Sequence, residues 1–276
     1  MIVLISQIKI NIELFPSDKE DSPFIFFLHG FTGSSKDWEE IIPQLNPNYN
    51  CAAVDLIGHG KSDSPENVEL YKVNSLVQQL DKVFKHFTRD KFILVGYSMG
   101  GRAALSYAAK NPENLLGLIL ESSSAGIADE KLRQERILAD EKIIKMIEEK
   151  TIVEFNDFWM NQDLFATLKS LQQEKLLKVK ADKIKNNKTG LINSLRGFGS
   201  GVMPPMHEKI NLIKCKTLLI TGELDKKFTQ TNSELVNLFP SAKHFVIKNA
   251  GHNTHFEKQD EFARVVNEFF EELKLK

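Results

Sequence analysis

With 276 residues, the chain is long enough for one large α/β domain, and its formal net charge of −1 gives no overall attraction to nucleic acid or anionic membranes. Hydrophobic residues make up 42% of the chain, but no run approaches the roughly 18 apolar positions of a membrane span. The segment from Met1 to Ile12 lacks the basic region and cleavage site of a signal peptide. One disulfide between Cys51 and Cys215 is arithmetically possible, but reduced, buried thiols in a cytoplasmic protein are the expectation.

Short apolar runs alternate along the chain with segments of helical spacing, after an antiparallel edge hairpin predicted over Met1–Leu14. Such alternation predicts a mostly parallel sheet, covered by helices on both faces. The predicted buried strands are Phe24–Leu28, Ala52–Val54, Phe92–Val95, Leu118–Leu120, Thr217–Ile220 and His244–Ile247, and the predicted helices are 37–45, 74–87, 99–110, 231–239 and 259–273.

The stretch 127–205 breaks this alternation, because it contains helical patterning rich in Lys, Glu, Leu and Ile but no strand candidate. A helical block inserted between strands of an open sheet is expected above their carboxyl ends, where α/β sheets bind ligands. We therefore predict a helical cap over 127–205, continuous with a core formed by 1–126 and 206–276.

The segment Gly96-Tyr97-Ser98-Met99-Gly100 follows one predicted strand and precedes a predicted helix. A strand that turns abruptly into a helix holds its central residue in a strained conformation and leaves no room for side chains two positions away on either side. The pattern predicts a nucleophile elbow, with the Ser98 hydroxyl at the N-terminus of a helix that favours negative charge.

A second glycine-containing segment, Leu28-His29-Gly30-Phe31-Thr32-Gly33, follows the first strong parallel strand. In the α/β-hydrolase fold this loop supplies half of an oxyanion hole, so the backbone amides of Phe31 and Met99 are the predicted donors. His29 is an alternative catalytic base, but its position before a glycine turn favours a structural role.

The acid and the base of this fold follow the serine along the chain. Asp225 and His252 each come just after a predicted strand, as a triad with Ser98 requires. Glu223 is the rival acid, and Asp55 also ends a strand but precedes the serine, so we assign it to loop structure.

The residues His252, His255 and Glu257 could also be read as metal ligands. A His-x-x-His spacing is weak evidence without a third ligand on a rigid element. Because the triad explains why His252 follows a strand, no metal is predicted.

Positive charge near the elbow and in the cap indicates an anionic substrate. Arg102 lies one helical turn after Ser98, where a cation opposes the helix dipole by about 0.3–1 kcal/mol. Planar guanidinium groups bind carboxylates in pairs, whereas lysines in a charge run usually form a solvated face. The cap contains Arg133, Arg136 and Arg196, and Lys169, Lys175, Lys178, Lys180, Lys183, Lys185 and Lys188.

Several segments between Phe27 and Phe262 together form a more specific pattern. They are Gly96–Arg102, Glu121–Gly126, Arg133–Arg136 with Asp140, Phe158-Trp159 with Leu164-Phe165, Leu195–Gly201, Gly222–Phe228 and Gly251–Glu257. This pattern resembles that of the MenH-type enzymes, the 2-succinyl-6-hydroxy-2,4-cyclohexadiene-1-carboxylate synthases of menaquinone biosynthesis, and the resemblance covers nearly the whole chain.

The resemblance implies an α/β-hydrolase fold and a lyase that eliminates pyruvate from a substrate with three carboxylates, through triad-assisted proton abstraction. It implies no cofactor, and we expect a small polyanionic partner but no nucleic acid, membrane or obligate protein partner. The resemblance also implies a further cap arginine near Lys183, so either Lys183 takes its place as a substrate-binding residue or that role has moved. Ala125 stands where related sequences often have proline. A carboxylesterase-type hydrolase with an acyl-enzyme on Ser98 is the alternative, and a non-enzymatic receptor is disfavoured by the intact triad. The substrate-binding residues implied by motif are Tyr97, Arg102, Arg136 and Trp159.

Overall fold

The computed structural model describes residues 1–19 and 21–273, and its centre is an eight-stranded sheet. The strands are β1 (Ile2–Ile5), β2 (Ile8–Phe15), β3 (Phe24–Leu28), β4 (Asn50–Val54), β5 (Phe92–Tyr97), β6 (Leu115–Glu121), β7 (Lys216–Gly222) and β8 (Ala242–Ile247). Their order in the sheet is β1-β2-β4-β3-β5-β6-β7-β8. Strand β2 pairs antiparallel with both β1 and β4, and the remaining pairs are parallel, which confirms the predicted architecture.

The helices largely follow the predicted pattern. They are α1 (Val73–Phe87), α2 (Met99–Lys110), α3 (Glu130–Glu149), α4 (Ile152–Met160), α5 (Gln173–Lys183), α6 (Lys188–Phe198), α7 (Lys226–Leu235), α8 (Thr254–Glu257) and α9 (Gln259–Glu272). Residues 274–276, which were assigned to the predicted core, lie outside the described part of the chain.

Three local predictions were wrong. The helix predicted over 37–45 is instead two short 3-10 turns, the second starting around Pro43, whose ring supplies no amide hydrogen. The helix predicted over 231–239 begins earlier, because the Asp225 side chain accepts a hydrogen bond from the Phe228 amide and caps α7. Strand β8 is only partly buried because it lies at the edge of the sheet, where Ile247 is its one fully buried residue.

The core consists of two apolar layers, one on each face of the sheet. Successive residues of a strand point to opposite faces. Phe26 therefore packs against Phe84 of α1, with ring centroids 4.4 Å apart, while Phe27 packs against Trp38 on the other face at 5.2 Å. The two layers fix the central strands, whose carboxyl ends carry the catalytic candidates.

Helices α3 to α6 lie within 127–205, a segment that is described throughout and contains no strand. They form their own small apolar cluster, which includes Ile147, Phe155 and Leu191. At Gly190, α6 approaches the loop after β4 so closely that a Cβ on this residue would collide with the carbonyl oxygen of Gly58. Among the described residues, none of the helices has the length and apolar character to cross a membrane.

Candidate active site

Ser98 occupies a sharp turn between β5 and α2, with φ +49° and ψ −107°. Positive φ is uncommon for any residue with a side chain and stores backbone strain. The neighbouring strand holds the turn in place, since the Ser98 amide donates to the carbonyl oxygen of Glu121 at 2.8 Å. The result is the strained strand–turn–helix geometry that the motif predicts.

Glycines make this turn possible. A Cβ on Gly96 would collide with the backbone of Gly100, and a Cβ on Gly100 would collide with the carbonyl oxygen of Leu28 in the neighbouring strand. Elbow and sheet therefore pack backbone against backbone, and side chains at these two positions would push them apart.

The structure brings Ser98, His252 and Asp225 together at the carboxyl end of the sheet. Nε2 of His252 lies 3.0 Å from Oγ of Ser98, and Nδ1 lies 2.6 Å from Oδ2 of Asp225. The imidazole is almost completely buried. With the carboxylate holding a proton on Nδ1, Nε2 is free to accept the hydroxyl proton of Ser98.

The rival acid and base lie elsewhere. Glu223 is directed away from the imidazole and accepts a hydrogen bond from the Asn249 amide at the surface. Nε2 of His29 accepts the Leu56 amide at 3.0 Å, so Nδ1 carries the proton that is donated to the carbonyl oxygen of Gly30. Burial lowers the pKa of His29, which favours this neutral ring in a structural role.

Asp55 likewise serves loop structure. Its carboxylate accepts hydrogen bonds from the amides of Ser35 and Lys61 and from the side chain of Asn11. These bonds tie the hairpin, the loop after β3 and the loop after β4 to one buried anion.

The residues considered as metal ligands have other partners. His255 donates through its backbone amide to Glu121, whose second carboxylate oxygen lies 2.6 Å from Nδ1 of the same histidine. Glu257 accepts the amides of Gly251 and Asn253, which shapes the loop that carries His252. Within residues 1–19 and 21–273, no cluster of three or more His, Cys, Asp or Glu side chains could hold a metal ion.

A cavity of about 920 Å³ opens in front of the Ser98 hydroxyl, between the sheet and the cap. Both residues that carry the predicted oxyanion donors, Phe31 and Met99, line it. The cap contributes Arg136 from α3 and Trp159 from α4, while Arg102 reaches it from α2. Reactive and cationic groups therefore share one chamber.

Arg102 is a cation with no carboxylate in salt-bridge distance among the described residues, although the negative charge of Asp140 acts to raise its pKa. One guanidinium nitrogen donates to the carbonyl oxygen of Phe198 at 3.3 Å, but Nε is buried without a hydrogen-bond partner among the described residues. Burial, and to a lesser degree the positive charge of Arg136, lower the pKa of Arg102 to about 10. The group remains charged at neutral pH, and an anion in the cavity would satisfy it.

Arg136 is held at the cavity by Asp140, one turn further along α3. Its Nε donates to Oδ1 of Asp140 at 2.8 Å, while Oδ2 of the same carboxylate is buried and has no hydrogen-bond partner among the described residues. Burial raises the pKa of Asp140, against the opposing influence of the arginine. Trp159, which also lines the cavity, has a buried indole nitrogen that likewise lacks a partner in the described part of the chain.

Two predicted binding residues do not line the cavity. Tyr97 is 4% exposed, with its ring packed between Gly30 and the imidazoles of His252 and His255. Lys183 is 7% exposed, and its Nζ donates to Oγ1 of Thr32 at 3.2 Å. Neither side chain reaches the cavity in this structure, because each is enclosed by protein, and its contact with a substrate stays a prediction.

The motif reasoning assigned no function to Asp140, Thr32 or Asn186. The partner of Arg136 was detectable in principle, because residues four apart on a helix are neighbours. Asn186 contacts Thr32 across a separation of 154 residues, and no local pattern signals such a contact.

The fold agrees with comparisons to known proteins. Residues 23–259 match the alpha/beta hydrolase fold family. The chain therefore belongs to the α/β-hydrolase superfamily.

More specific relatives are also found. A Bacillus subtilis (strain 168) protein, provisionally named 2-succinyl-6-hydroxy-2,4-cyclohexadiene-1-carboxylate synthase, is 35% identical over 248 residues, covering 90% of each chain. The synthase of that name from Enterobacter sp. (strain 638) is 31% identical over 239 residues, covering 87% of this chain and 88% of the relative. The structure of MenH from S. aureus superimposes with a TM-score of 0.92 at 31% identity, covering 96% of this chain and 99% of that one. Within the superfamily, the chain is a member of the 2-succinyl-6-hydroxy-2,4-cyclohexadiene-1-carboxylate synthase family.

Proposed function

We propose that the protein converts 2-succinyl-5-enolpyruvyl-6-hydroxy-3-cyclohexene-1-carboxylate to 2-succinyl-6-hydroxy-2,4-cyclohexadiene-1-carboxylate and pyruvate, as the names of its relatives suggest. The observation that carries this proposal is the position of Arg102. Its charge faces the same cavity as the triad, with an unpaired Nε and no carboxylate within salt-bridge distance among the described residues. A substrate with three carboxylates would supply the missing anion.

In the proposed elimination, the residues of this site carry out the proton transfers. Ser98 Oγ, which gives its own proton to Nε2 of His252, removes the proton from ring carbon 2, next to the succinyl ketone. The electrons of that C–H bond form a double bond between carbons 2 and 3. The existing double bond moves to carbons 4 and 5, and the bond from carbon 5 to oxygen breaks. Enolpyruvate leaves and takes up a proton to become pyruvate, so the reaction balances without a redox partner or cofactor.

Negative charge develops on the succinyl ketone oxygen as the proton is lost. The amides of Phe31 and Met99 are the proposed donors to this oxygen, and each such donor contributes about 10²–10³ in kcat in enzymes that use an oxyanion hole. Asp225 stabilises the imidazolium that forms on His252. Arg102 and Arg136 are the proposed carboxylate contacts, and Trp159 is a further lining residue proposed to contact the substrate.

The same proposal extends to the domain organisation, the binding partner and the cellular location. Residues 127–205 act as a cap inserted into a core of 1–126 and 206–276. The partner is a small polyanion, and the nearly balanced charge supports neither nucleic-acid nor membrane-surface binding. The cytoplasm is the proposed location, and no obligate protein partner is inferred.

One assay separates this function from that of an esterase on the same scaffold. The purified protein is incubated with the enolpyruvyl substrate, and pyruvate release is followed beside hydrolysis of a neutral aryl ester. We expect rapid pyruvate release and weak or absent ester hydrolysis. Efficient ester hydrolysis without pyruvate release would overturn the proposal and favour an acyl-enzyme on Ser98.

A further inference from the structure

Thr32, the residue after the predicted oxyanion donor Phe31, has an unusual backbone. Its φ is +66°, in the left-handed region that β-branched residues rarely enter. A conformation of this kind is strained and persists only where surrounding contacts hold it. The side chain is 2% exposed, so those contacts come from protein groups.

The cap supplies two of these contacts, one to each polar group of Thr32. Lys183, at the end of α5, donates from Nζ to the hydroxyl oxygen at 3.2 Å. Asn186, three residues further along, donates from Nδ2 to the carbonyl oxygen at 2.7 Å. Oδ1 of Asn186 accepts the Gly60 amide, so that its amide group is fixed at both ends.

Lys183 is an unusual residue for this position. Lysines are almost never buried unless they are paired with an anion, yet no carboxylate lies within 4 Å of Nζ among the described residues. The charged groups nearest in sequence, Asp182 and Lys185, bond to each other instead. The side chain of Lys183 thus ends in a buried position beside the loop after β3, where its hydrogen-bond acceptor is the Thr32 hydroxyl, which points to a role for that bond.

We propose that Lys183 and Asn186 are positioning residues, which hold Thr32 in its left-handed conformation and thereby aim the backbone amide of Phe31 into the oxyanion hole. The cap then does more than cover the substrate, because it completes the part of the core that stabilises developing negative charge. A third contact acts in the same direction: the Phe31 ring packs edge-on against Trp159 of α4, with centroids 5.2 Å apart. This inference deepens the proposed function and rests on it for the identity of the reaction.

The central experiment compares Lys183→Met with Lys185→Met. Methionine keeps most of the length of the lysine stem and removes its donor, while Lys185 is 70% exposed and binds Asp182 at the surface. For Lys183→Met we expect kcat for pyruvate release to fall about 10- to 100-fold, less than for deletion of a whole oxyanion donor. The KM should stay within about 2-fold, because substrate binding does not use this side chain. Lys185→Met should match the wild type in both constants.

A second measurement needs no substrate. Hydrogen–deuterium exchange of the backbone amides in 29–35 should accelerate in Lys183→Met and remain at the wild-type rate in Lys185→Met, with the rest of the core unchanged. A wild-type protein that releases no pyruvate would remove the proposed function, while this exchange result would still decide whether Lys183 holds the loop.

A double-mutant cycle assigns the effect to the bond itself. Thr32→Val removes the acceptor and keeps the side-chain shape, so Lys183→Met should add little to kcat loss in that background. Lys183→Gln, which keeps an N–H donor, should recover part of the activity. If Lys183→Met does not fold, Thr32→Val tests the same bond from the core side through kcat and exchange.

Three results would each contradict the positioning role of Lys183. A raised KM with unchanged kcat would mean that Lys183 binds a substrate carboxylate directly. Unaltered exchange in 29–35, or losses that simply add in the cycle, would equally overturn the positioning role.

Discussion

The two carboxylate oxygens of Asp225 have different partners, since one contacts the imidazole of His252 and the other accepts a hydrogen bond from the first turn of α7. Oδ2 lies 2.6 Å from Nδ1 of His252, while Oδ1 accepts the Phe228 amide at 3.2 Å. The helix end thus fixes the orientation of the acid, and the acid in turn fixes the ring that faces Ser98. One local capping interaction therefore contributes to the geometry of the whole triad.

Replacing Asp225 with Asn should disable the enzyme with little change in fold. An amide of the same shape can still accept the Phe228 amide, but it cannot stabilise an imidazolium, and we expect kcat to fall by about 10³–10⁴-fold. The matched control is Glu223→Gln, because the Glu223 carboxylate accepts the Asn249 amide and has no hydrogen bond to His252 among the described residues. A damaging Glu223→Gln beside a mild Asp225→Asn would show that the acid has been misassigned.

Ser98→Ala should remove nearly all pyruvate release while the melting temperature stays close to that of the wild type. The lost hydroxyl is the proposed proton acceptor, and alanine costs little packing at an elbow that already holds a residue with a Cβ. Turnover and thermal unfolding are measured on the same preparation. Retention of more than about a tenth of wild-type kcat would contradict a role in the reaction.

The framework of this site could be predicted because its signals are local. The bounds of β3 and α2 match the sequence-based expectations, since each combines an unbroken pattern with clear ends. Chain order and position after a strand were enough to select Ser98, Asp225 and His252, because the carboxyl ends of parallel strands meet at one edge of a sheet.

The contacts that residues 127–205 make with the rest of the chain could not be predicted in the same way. Lys183 was assigned to a substrate carboxylate from its approximate alignment with a family arginine, whereas its nitrogen binds Thr32, 151 residues earlier in the chain. A hydrogen bond across that separation produces no periodicity. The 3-10 turns near Pro43 were mistaken for a helix because apolar spacing alone does not distinguish the two forms of helical turn.

Arg102→Ala and Arg136→Ala should each weaken the reaction of the three-carboxylate substrate by about 2–5 kcal/mol in kcat/KM, as for a charged pair that loses one partner. Lysine at either position should recover only part of the loss, since an ammonium cannot form paired bonds to a carboxylate. Hydrolysis of a neutral ester, where it is detectable, should change much less.

Arg133→Ala is the matched control for the arginine variants. Arg133 lies on the same helix as Arg136, does not line the cavity, and forms an ion pair with Glu130 at 3.7 Å. It should behave like the wild type. Equal losses on charged and neutral substrates would instead indicate that Arg102 and Arg136 have structural roles.

The free energy of unfolding should decrease in mild acid because two histidines near the oxyanion loop, His29 and His59, are buried. Burial lowers the pKa of His29, and it holds the pKa of His59 well below the usual value of 6.5. The unfolded chain therefore binds more protons than the folded protein once the pH drops below about 6.5. The free energy of unfolding should be fully present above this pH and decline below it, by up to about 1.4 kcal/mol per pH unit for each histidine.

Urea unfolding of the wild type, His59→Asn and His86→Asn between pH 7.5 and 5.5 tests this linkage. Nδ1 of His59 lies 3.2 Å from the carbonyl oxygen of Ile57, and its Nε2 is buried with no partner in the described part of the chain, so asparagine can keep the hydrogen bond to Ile57 and remove the titrating ring. His59→Asn should lower stability at pH 7.5, because a smaller side chain leaves a void, yet lose less on acidification. His86 is exposed on α1, and its replacement should leave the wild-type slope unchanged. A slope for His59→Asn as steep as that of the wild type would mean that His59 does not resist protonation in the folded protein.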